Sequence, residues 1–572
     1  MKPFPRFPRP MAAKLSPGSA SSGSGAIEFD YVIVGGGSAG CVLANRLSSD
    51  SSVQVLLLEA GPSIEPFWVR TPAGMSRLFF DERLNWKFFT ENEAELAGRR
   101  IYWPRGKILG GTSAINGMVY TRGVASDYDE WCNAGNAGWS WNDVLPYFKR
   151  SESNTHGTEE LHGRNGPLNV SSPRTQHRVT ATFVAAATAA GLSANNDIAG
   201  EGREGVGFLQ HTIAEGVRAS ASSAYLHPIR HRANLTVIAD ASVQRVEIVG
   251  GRAVSVVFQQ SGEMRRAVAR REVILSAGVV GSPQILLLSG IGPGSQLLRF
   301  GIHVASNLRG VGKNLQDHLA VNVGFEVRDG MSLNRDISGW QKYVQGARYL
   351  LTRSGPLATG ASHAAAFVRS SHSVNSPDIQ LSFRPLSFTF DAANRLRTHD
   401  FPGVQFAGAI LKPKSRGSIE LRSALAHDSP VIRANYLSDS ADQAAMVSAV
   451  NWIRRIASTS PFREEVLREA GPSSDCRTDA EILELIRNQC QTMYHPVGTC
   501  KMGNDPMAVV NDRLQVYGVA GLRVVDASIM PTIVGGNTNA AVVMIAEKAS
   551  DMILEDAKGR SASRPLELAN RS

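Results

Sequence analysis

The chain has 572 residues, 43% hydrophobic and 19% charged, the composition of a large globular protein; a wholly disordered chain is excluded. No run approaches the ~20 apolar residues that a membrane-spanning helix needs, and the net charge of +9 is spread among acids with no basic run interleaved with aromatics, so nothing points to nucleic acid. Five scattered cysteines (Cys41, Cys132, Cys476, Cys490, Cys500) contain no C-x-x-C pair, which argues against a disulfide framework and a zinc site and fits a reducing compartment; no metal is expected.

In chain order, residues 1–25 are rich in Pro, Ser and Gly, and their basic start is not followed by an apolar stretch. They read as a disordered leader rather than a secretory signal. The run FDYVIVGGG, from Phe29, predicts a buried strand, SAGCVLANRLSSD a helix and VQVLLLEAG a second buried strand. LTVIADASVQRVEIVGGRAVSVVFQQ predicts a β-meander turning at Gly250 and Gly251. REVILSAG is another buried strand and SPQILLLSG a short helix. The region 321–490 differs in texture, with mixed strands (GVQFAGAIL, GSIELRS) and helices (AAMVSAVNWIRRIAS). Near the end LRVVDASIMP predicts a strand and NTNAAVVMIAEKASDMIL a helix.

This order predicts an α/β composite. A Rossmann-like nucleotide domain is assembled discontinuously from 26–320 and 491–558. A substrate-binding domain spans 321–490, built on a mixed or antiparallel sheet with helices, to which 151–200 contributes. A frayed tail occupies 559–572.

Gly35, Gly37 and Gly40 form G-x-G-x-x-G after a strand and at the start of a helix. Such glycines allow a tight turn and bring backbone N–H groups to a pyrophosphate at the helix N-terminus. Glu59, at the end of the next strand, is placed to accept hydrogen bonds from an adenosine ribose, which argues against NADP. The motif does not separate FAD from NAD. A second glycine-rich stretch, Pro104–Gly123, has no periodicity. It is either a loop wrapping a large planar cofactor or a long turn.

These segments together resemble the glucose-methanol-choline (GMC) family of FAD oxidoreductases. The likeness runs from Phe29 to Leu554 and is carried by GGGSAG, RGKILGGTSAIN, SPQILLLSGIG, VGKNLQDH, HPVGTCKMG and VVDASIMPTIVGGNTN, in that order. The resemblance implies bound FAD. Gly35, Gly37, Ser38, Ala39 and Gly40 would hold the pyrophosphate, and Glu59 with Ala60 the adenosine ribose. Gly110, Gly111, Ser113, Asn116, Gly117, Met118 and Val119 would lie along the flavin, with Val243 at the adenine and Asp526 and Ala527 near the pyrophosphate and ribityl chain. Trp86, Ala277, Tyr494, Asn537 and Thr538 complete the expected cofactor set. Some relatives attach FAD through a His where this chain has Ile115, so binding is expected to be non-covalent.

The resemblance also assigns the catalytic pair to His495 and Asn539. Read locally, Asn539 is equally a helix N-cap, whereas His495, followed by Pro496 and Gly498, is a loop residue able to project into a site. Alcohol oxidation removes a hydroxyl proton and a hydride from carbon. A histidine takes the proton at working pH, the asparagine orients the oxygen, and the hydride goes to flavin N5. The N-terminus of the last helix, around Asn537–Asn539, is expected to stabilise negative charge on the flavin. His318 is a second candidate base, read instead as part of a hydrogen-bonding corner with Asn314, Gln316 and Asp317.

The motif style looks like the bacterial choline-dehydrogenase-like branch, which includes aliphatic-alcohol dehydrogenases. The expected reaction is therefore oxidation of a primary alcohol to the aldehyde, with electrons passed to an acceptor other than NAD (a quinone, another carrier or O₂). The expected location is cytoplasmic, with peripheral contact at the inner membrane surface. The alternatives are a choline dehydrogenase, an O₂-using oxidase, and a flavin-dependent lyase or decarboxylase on the same fold. Choline-active relatives use a Glu for the trimethylammonium; the local match places His363 there, which demotes choline. Arg384 is near in sequence and reads as solvated rather than as a carboxylate receptor.

Overall fold

A computed structural model describes residues 27–200, 202–390 and 396–562. The expected leader lies outside them. The final helix, Asn539–Ala562, runs beyond the expected boundary at 558, and the tail from 563 on is also outside the described residues.

Two sheets organise the chain. In the first, the strands Leu235–Ile238, Val55–Leu58, Ile27–Val34, Glu263–Leu275 and Leu522–Val524 run parallel in that order. The Val, Ile and Leu runs of the inner strands are buried on both faces, as a parallel sheet covered by helices requires, while the edge strand Leu235–Ile238 is half-buried. The expected meander is corrected here. Leu235–Ile238 pairs with Val55–Leu58 at the far edge, and only Ala241–Val249, Arg252–Gln260 and Glu263–Leu275 form an antiparallel series. Val55–Leu58 offers an apolar, unpaired edge that Leu235–Ile238 covers, and no local spacing encodes that choice.

The second sheet is antiparallel, in the order Val466–Ala470, Leu319–Val327, Gly403–Ile410, Ile379–Arg384, Ala364–Val368 and Gly205–Phe208. Gln491–Thr492 joins the start of Leu319–Val327. Its last strand lies in neither 321–490 nor 151–200, so the substrate side is assembled from more of the chain than expected. Period-two alternation decides its two faces. Val321, Val323, Leu381, Phe383, Val404 and Phe406 pack in one core with Met446, Val450 and Ile453 of helix Ser440–Ala457. The alternate residues Ala320, Asn322, Gln380, Ser382, Arg384 and Ala407 face a cavity between the sheets.

Candidate active site

Four parallel strands of the first sheet end at this cavity. Gly35 follows Val34, Glu59 follows Leu58, Ala277 lies just beyond Leu275, and Asp526 lies just beyond Val524. The carboxyl edge of a parallel sheet is where ligands bind in such folds. The helix Ser38–Leu47 opens there with no side-chain cap and no acid in its first turn. Its unsatisfied N–H groups and positive dipole end suit a diphosphate. Gly37 leaves open space, since a Cβ built on it meets nothing nearer than 3.9 Å. These features fit FAD.

Of the expected cofactor residues, Gly35, Gly37, Ser38, Ala39, Glu59, Ala60, Trp86, Gly111, Asn116, Gly117, Met118 and Val119 line the cavity, as do Val243, Ala277, Tyr494, Asp526, Ala527, Asn537 and Thr538. Gly40, Gly110 and Ser113 are not part of that wall. Gly40 is needed for packing, because a Cβ there would lie 1.9 Å from the Gly35 carbonyl oxygen. Ser113 donates to the Gly110 carbonyl (2.6 Å) and accepts from the Ala221 N–H (2.9 Å), holding the second loop from behind.

Glu59 accepts from the N–H groups of Gly36 and Gly61, each at 2.8 Å; burial pushes its carboxyl up to about 7. Asp526 accepts from the Gly278 N–H (2.9 Å) and the Ser282 hydroxyl (2.6 Å), tying two strand ends together. Arg218, which no sequence signal marked, donates to the Asn116 carbonyl (2.7 Å) and side-chain oxygen (2.9 Å). It braces the segment where Met118 adopts φ +63°.

His495 is held from three sides. The Asp317 carboxylate accepts its backbone N–H (2.9 Å) together with the hydroxyls of Tyr436 and Thr492 (2.5 Å each). His495 Nδ1 lies 3.0 Å from His318 Nδ1, and His495 Nε2 lies 3.0 Å from Asn537 Nδ2. The protons follow from chemistry. His318 Nε2 faces the Leu411 carbonyl at 3.1 Å, and a carbonyl only accepts, so Nε2 carries the hydrogen. Burial holds His318 down to about 3, so it is neutral and its Nδ1 is bare. His495 Nδ1–H therefore donates to it, which leaves His495 Nε2 with a lone pair facing the Asn537 amide. Burial, with His318 and Arg105 nearby, also holds His495 well below the usual imidazole value. Asn537 Oδ1 is buried with no hydrogen-bond partner among the described residues.

Two expectations change. The neighbour of His495 is Asn537, not Asn539. Asn539 Oδ1 instead accepts from Ser38 Oγ at 2.8 Å, linking the starts of the first and last helices. The Gly536 N–H donates to the Val534 carbonyl at 2.7 Å just before Asn537, which stands ahead of the helix and meets His495, while Asn539 is already the first residue of the helix. His318 is not merely part of a corner, because it touches His495 itself. Asn314 and Gln316 do form that corner: their amides donate to the Pro531 carbonyl at 3.0 Å each and tie the His495 loop to the chain leading to Asn537.

His363 is buried beside Thr359 and does not line the cavity, although Ala361 and Ser362 do. Arg384 is half-buried and forms part of the cavity wall rather than the outer surface.

The GMC oxidoreductase family models match residues 29–320 and 413–546. The chain belongs to the GMC oxidoreductase family. It is 41% identical over 530 residues to an oxygen-dependent choline dehydrogenase of Vibrio vulnificus, covering 92% of this chain and 94% of that protein. It is 43% identical over 535 residues to a GMC-type oxidoreductase of Mycobacterium bovis, covering 92% and 99%. Among solved structures, pyridoxine 4-oxidase from Mesorbium loti superposes with a TM-score of 0.83 at 29% identity over 92% of this chain and 99% of that one. Formate oxidase of Aspergillus oryzae superposes with a TM-score of 0.87 at 26% identity over 93% and 99%. The chain is thus an enzyme of the FAD-dependent class that acts on CH–OH donors, as its motifs implied.

Proposed function

We propose that this oxidoreductase converts a primary alcohol to the aldehyde, with His495 as base and non-covalent FAD as the group reduced. The observation that carries this reading is the bare Nε2 of His495 beside Asn537, whose Oδ1 awaits a donor. A substrate hydroxyl placed between them gives its proton to Nε2 and is oriented by the Asn537 amide. FAD, when bound, supplies the hydride acceptor. His318 keeps Nε2 free of hydrogen, and Asp317 fixes the loop. The site is enclosed enough that the imidazole stays uncharged and ready to accept.

The natural acceptor in this reading is a carrier such as a membrane quinone, at the cytoplasmic side of the inner membrane. Helix Gln341–Thr352 supports it. Trp340, Tyr343, Val344, Leu350 and Leu351 expose an apolar stripe, Lys342 and Arg348 lie beside it, and the helix has no acidic residue. Such a surface suits the headgroup region of an anionic bilayer. Among the described residues no helix is long and apolar enough to cross a membrane.

The test is anaerobic bleaching of the flavin by a panel of alcohols, followed by turnover with a phenazine dye against air alone. Failure of every alcohol to bleach would sink the reaction. Equal rates with dye and air, with stoichiometric peroxide, would make the enzyme an oxidase.

A further inference from the structure

Arg384 ends the strand Ile379–Arg384 on its cavity face. Its Nη1 donates to Asn322 Oδ1 at 3.0 Å and Gln405 Oε1 at 3.2 Å. Gln405 is itself oriented by donating to the Phe388 carbonyl at 3.0 Å, and the guanidinium rests on the Phe388 ring, 5.3 Å from its centroid. Both anchors are neutral amides. Among the described residues no carboxylate pairs with Arg384, and its Nε and Nη2 donate to nothing. Arg384 is half-buried, a cation partly withdrawn from water without an anion is costly, and burial draws this guanidinium down to about 10, still charged at neutral pH. Locked in one pose with its Nε–H/Nη2–H edge unfilled, an arginine is built to receive a carboxylate with two parallel hydrogen bonds.

Nearby acids do not answer that charge. Asp317 is already committed to His495, Tyr436 and Thr492, while Glu59 and Asp526 sit at the strand ends of the other sheet. Arg105 adds a second positive group near His495, its Nη2 donating to the Tyr494 carbonyl at 2.6 Å.

We infer that the alcohol substrate carries a carboxylate, which the free edge of Arg384 grips while the hydroxyl lies between His495 and Asn537. This rests on the reaction proposed above. His318, which touches His495, lies just before the strand Leu319–Val327, and Asn322, which holds Arg384, lies within it, so hydroxyl and carboxylate are received at separate points along that strand, as the two ends of an ω-hydroxyalkanoate or a hydroxymethyl-arene carboxylate would be. A quaternary ammonium alcohol would meet Arg384 and Arg105 and is disfavoured.

The test uses the holoenzyme and compares anaerobic flavin reduction by 4-(hydroxymethyl)benzoate with that by its methyl ester, and by ω-hydroxyalkanoates with that by matched alkanols. The acids are expected to give kcat/KM at least ~10-fold above their neutral partners. R384Q is expected to abolish that preference while neutral alcohols remain substrates, and R384K to restore part of it. Non-oxidisable 4-methylbenzoate is expected to perturb the flavin spectrum of the wild type and not that of R384Q. The acid–ester comparison needs no variant, so misfolding of R384Q leaves the inference exposed to refutation. Equal or better turnover of neutral alcohols, or 4-methylbenzoate binding unchanged in R384Q, overturns the carboxylate site. If no alcohol of either kind bleaches the flavin, the proposed reaction fails, and the 4-methylbenzoate titration still decides the anion site by itself.

Discussion

His318 and His495 meet Nδ1 to Nδ1 at 3.0 Å with their ring planes at 89°, so one imidazole sets the tautomer of the other. The Leu411 carbonyl, beyond His318, is the fixed end of that relay. His318 is a positioning residue, since it acts on the reaction only through His495.

Replacing His318 should therefore slow flavin reduction without removing the base. His318→Leu leaves His495 Nδ1–H without an acceptor and lets the proton move to Nε2. A loss of about 10–100-fold is expected, the usual cost of losing an orienting partner. His318→Gln, whose side-chain oxygen accepts a hydrogen bond, should recover much of it. Equal loss in both variants would mean that packing, not the tautomer, is what His318 supplies.

The two asparagines should separate cleanly. Asn537→Ala removes the donor beside His495 and is expected to slow flavin reduction by about 10²-fold with FAD retained. Asn539→Ala breaks the bond to Ser38, worth about 1 kcal/mol, and should lower FAD affinity or thermal stability while reduction stays within a few-fold of normal. Rapid-mixing kinetics with flavin titration would show the reverse order if Asn539 were the catalytic partner.

The pH profile should lack a histidine limb near neutrality. The pKa of His495 is depressed, so its basic form is fully populated above the usual imidazole value of about 6.5 and is lost only at much lower pH. The limiting rate of flavin reduction is expected to be flat from about pH 6 to 9. A tenfold fall per pH unit setting in just below 6.5 would show that the base titrates as an ordinary imidazole.

FAD should leave with acid. Ile115 is fully buried among Val69, Leu78 and Leu84 and offers no nucleophile. Acid precipitation is expected to release the flavin into the supernatant, and colour held in the pellet would reveal a covalent link.

Much of the cofactor side was legible in the sequence because it is made by short segments. Gly35, Gly37 and Glu59 lie within one strand–helix–strand unit, where local chain geometry alone carries the backbone to a diphosphate. Gly40 was expected to hold the pyrophosphate, and its packing role against the Gly35 carbonyl could be seen only in the structure. The substrate wall was partly legible in IQLSFR and GVQFAGAI, whose alternation already separates Gln380, Ser382 and Arg384 from Leu381 and Phe383. Alternation says which residues share a face, not what that face meets, so Arg384 read as solvated.

By itself the sequence determined the parallel nucleotide-binding unit and the placing of His495 on a loop that enters the cavity, because glycine spacing, buried strand runs and the HPVG turn act locally. Only the tertiary structure decided that Asn537 rather than Asn539 meets His495, that His318 touches His495 through its Nδ1, and that Arg384, through Asn322 and Gln405, is held on the cavity wall. Each of these is a contact between groups tens to hundreds of residues apart, governed by the docking of two sheets and by hydrogen bonds a few ångströms long. At that range a two-residue shift at the mouth of a helix changes which side chain enters the site.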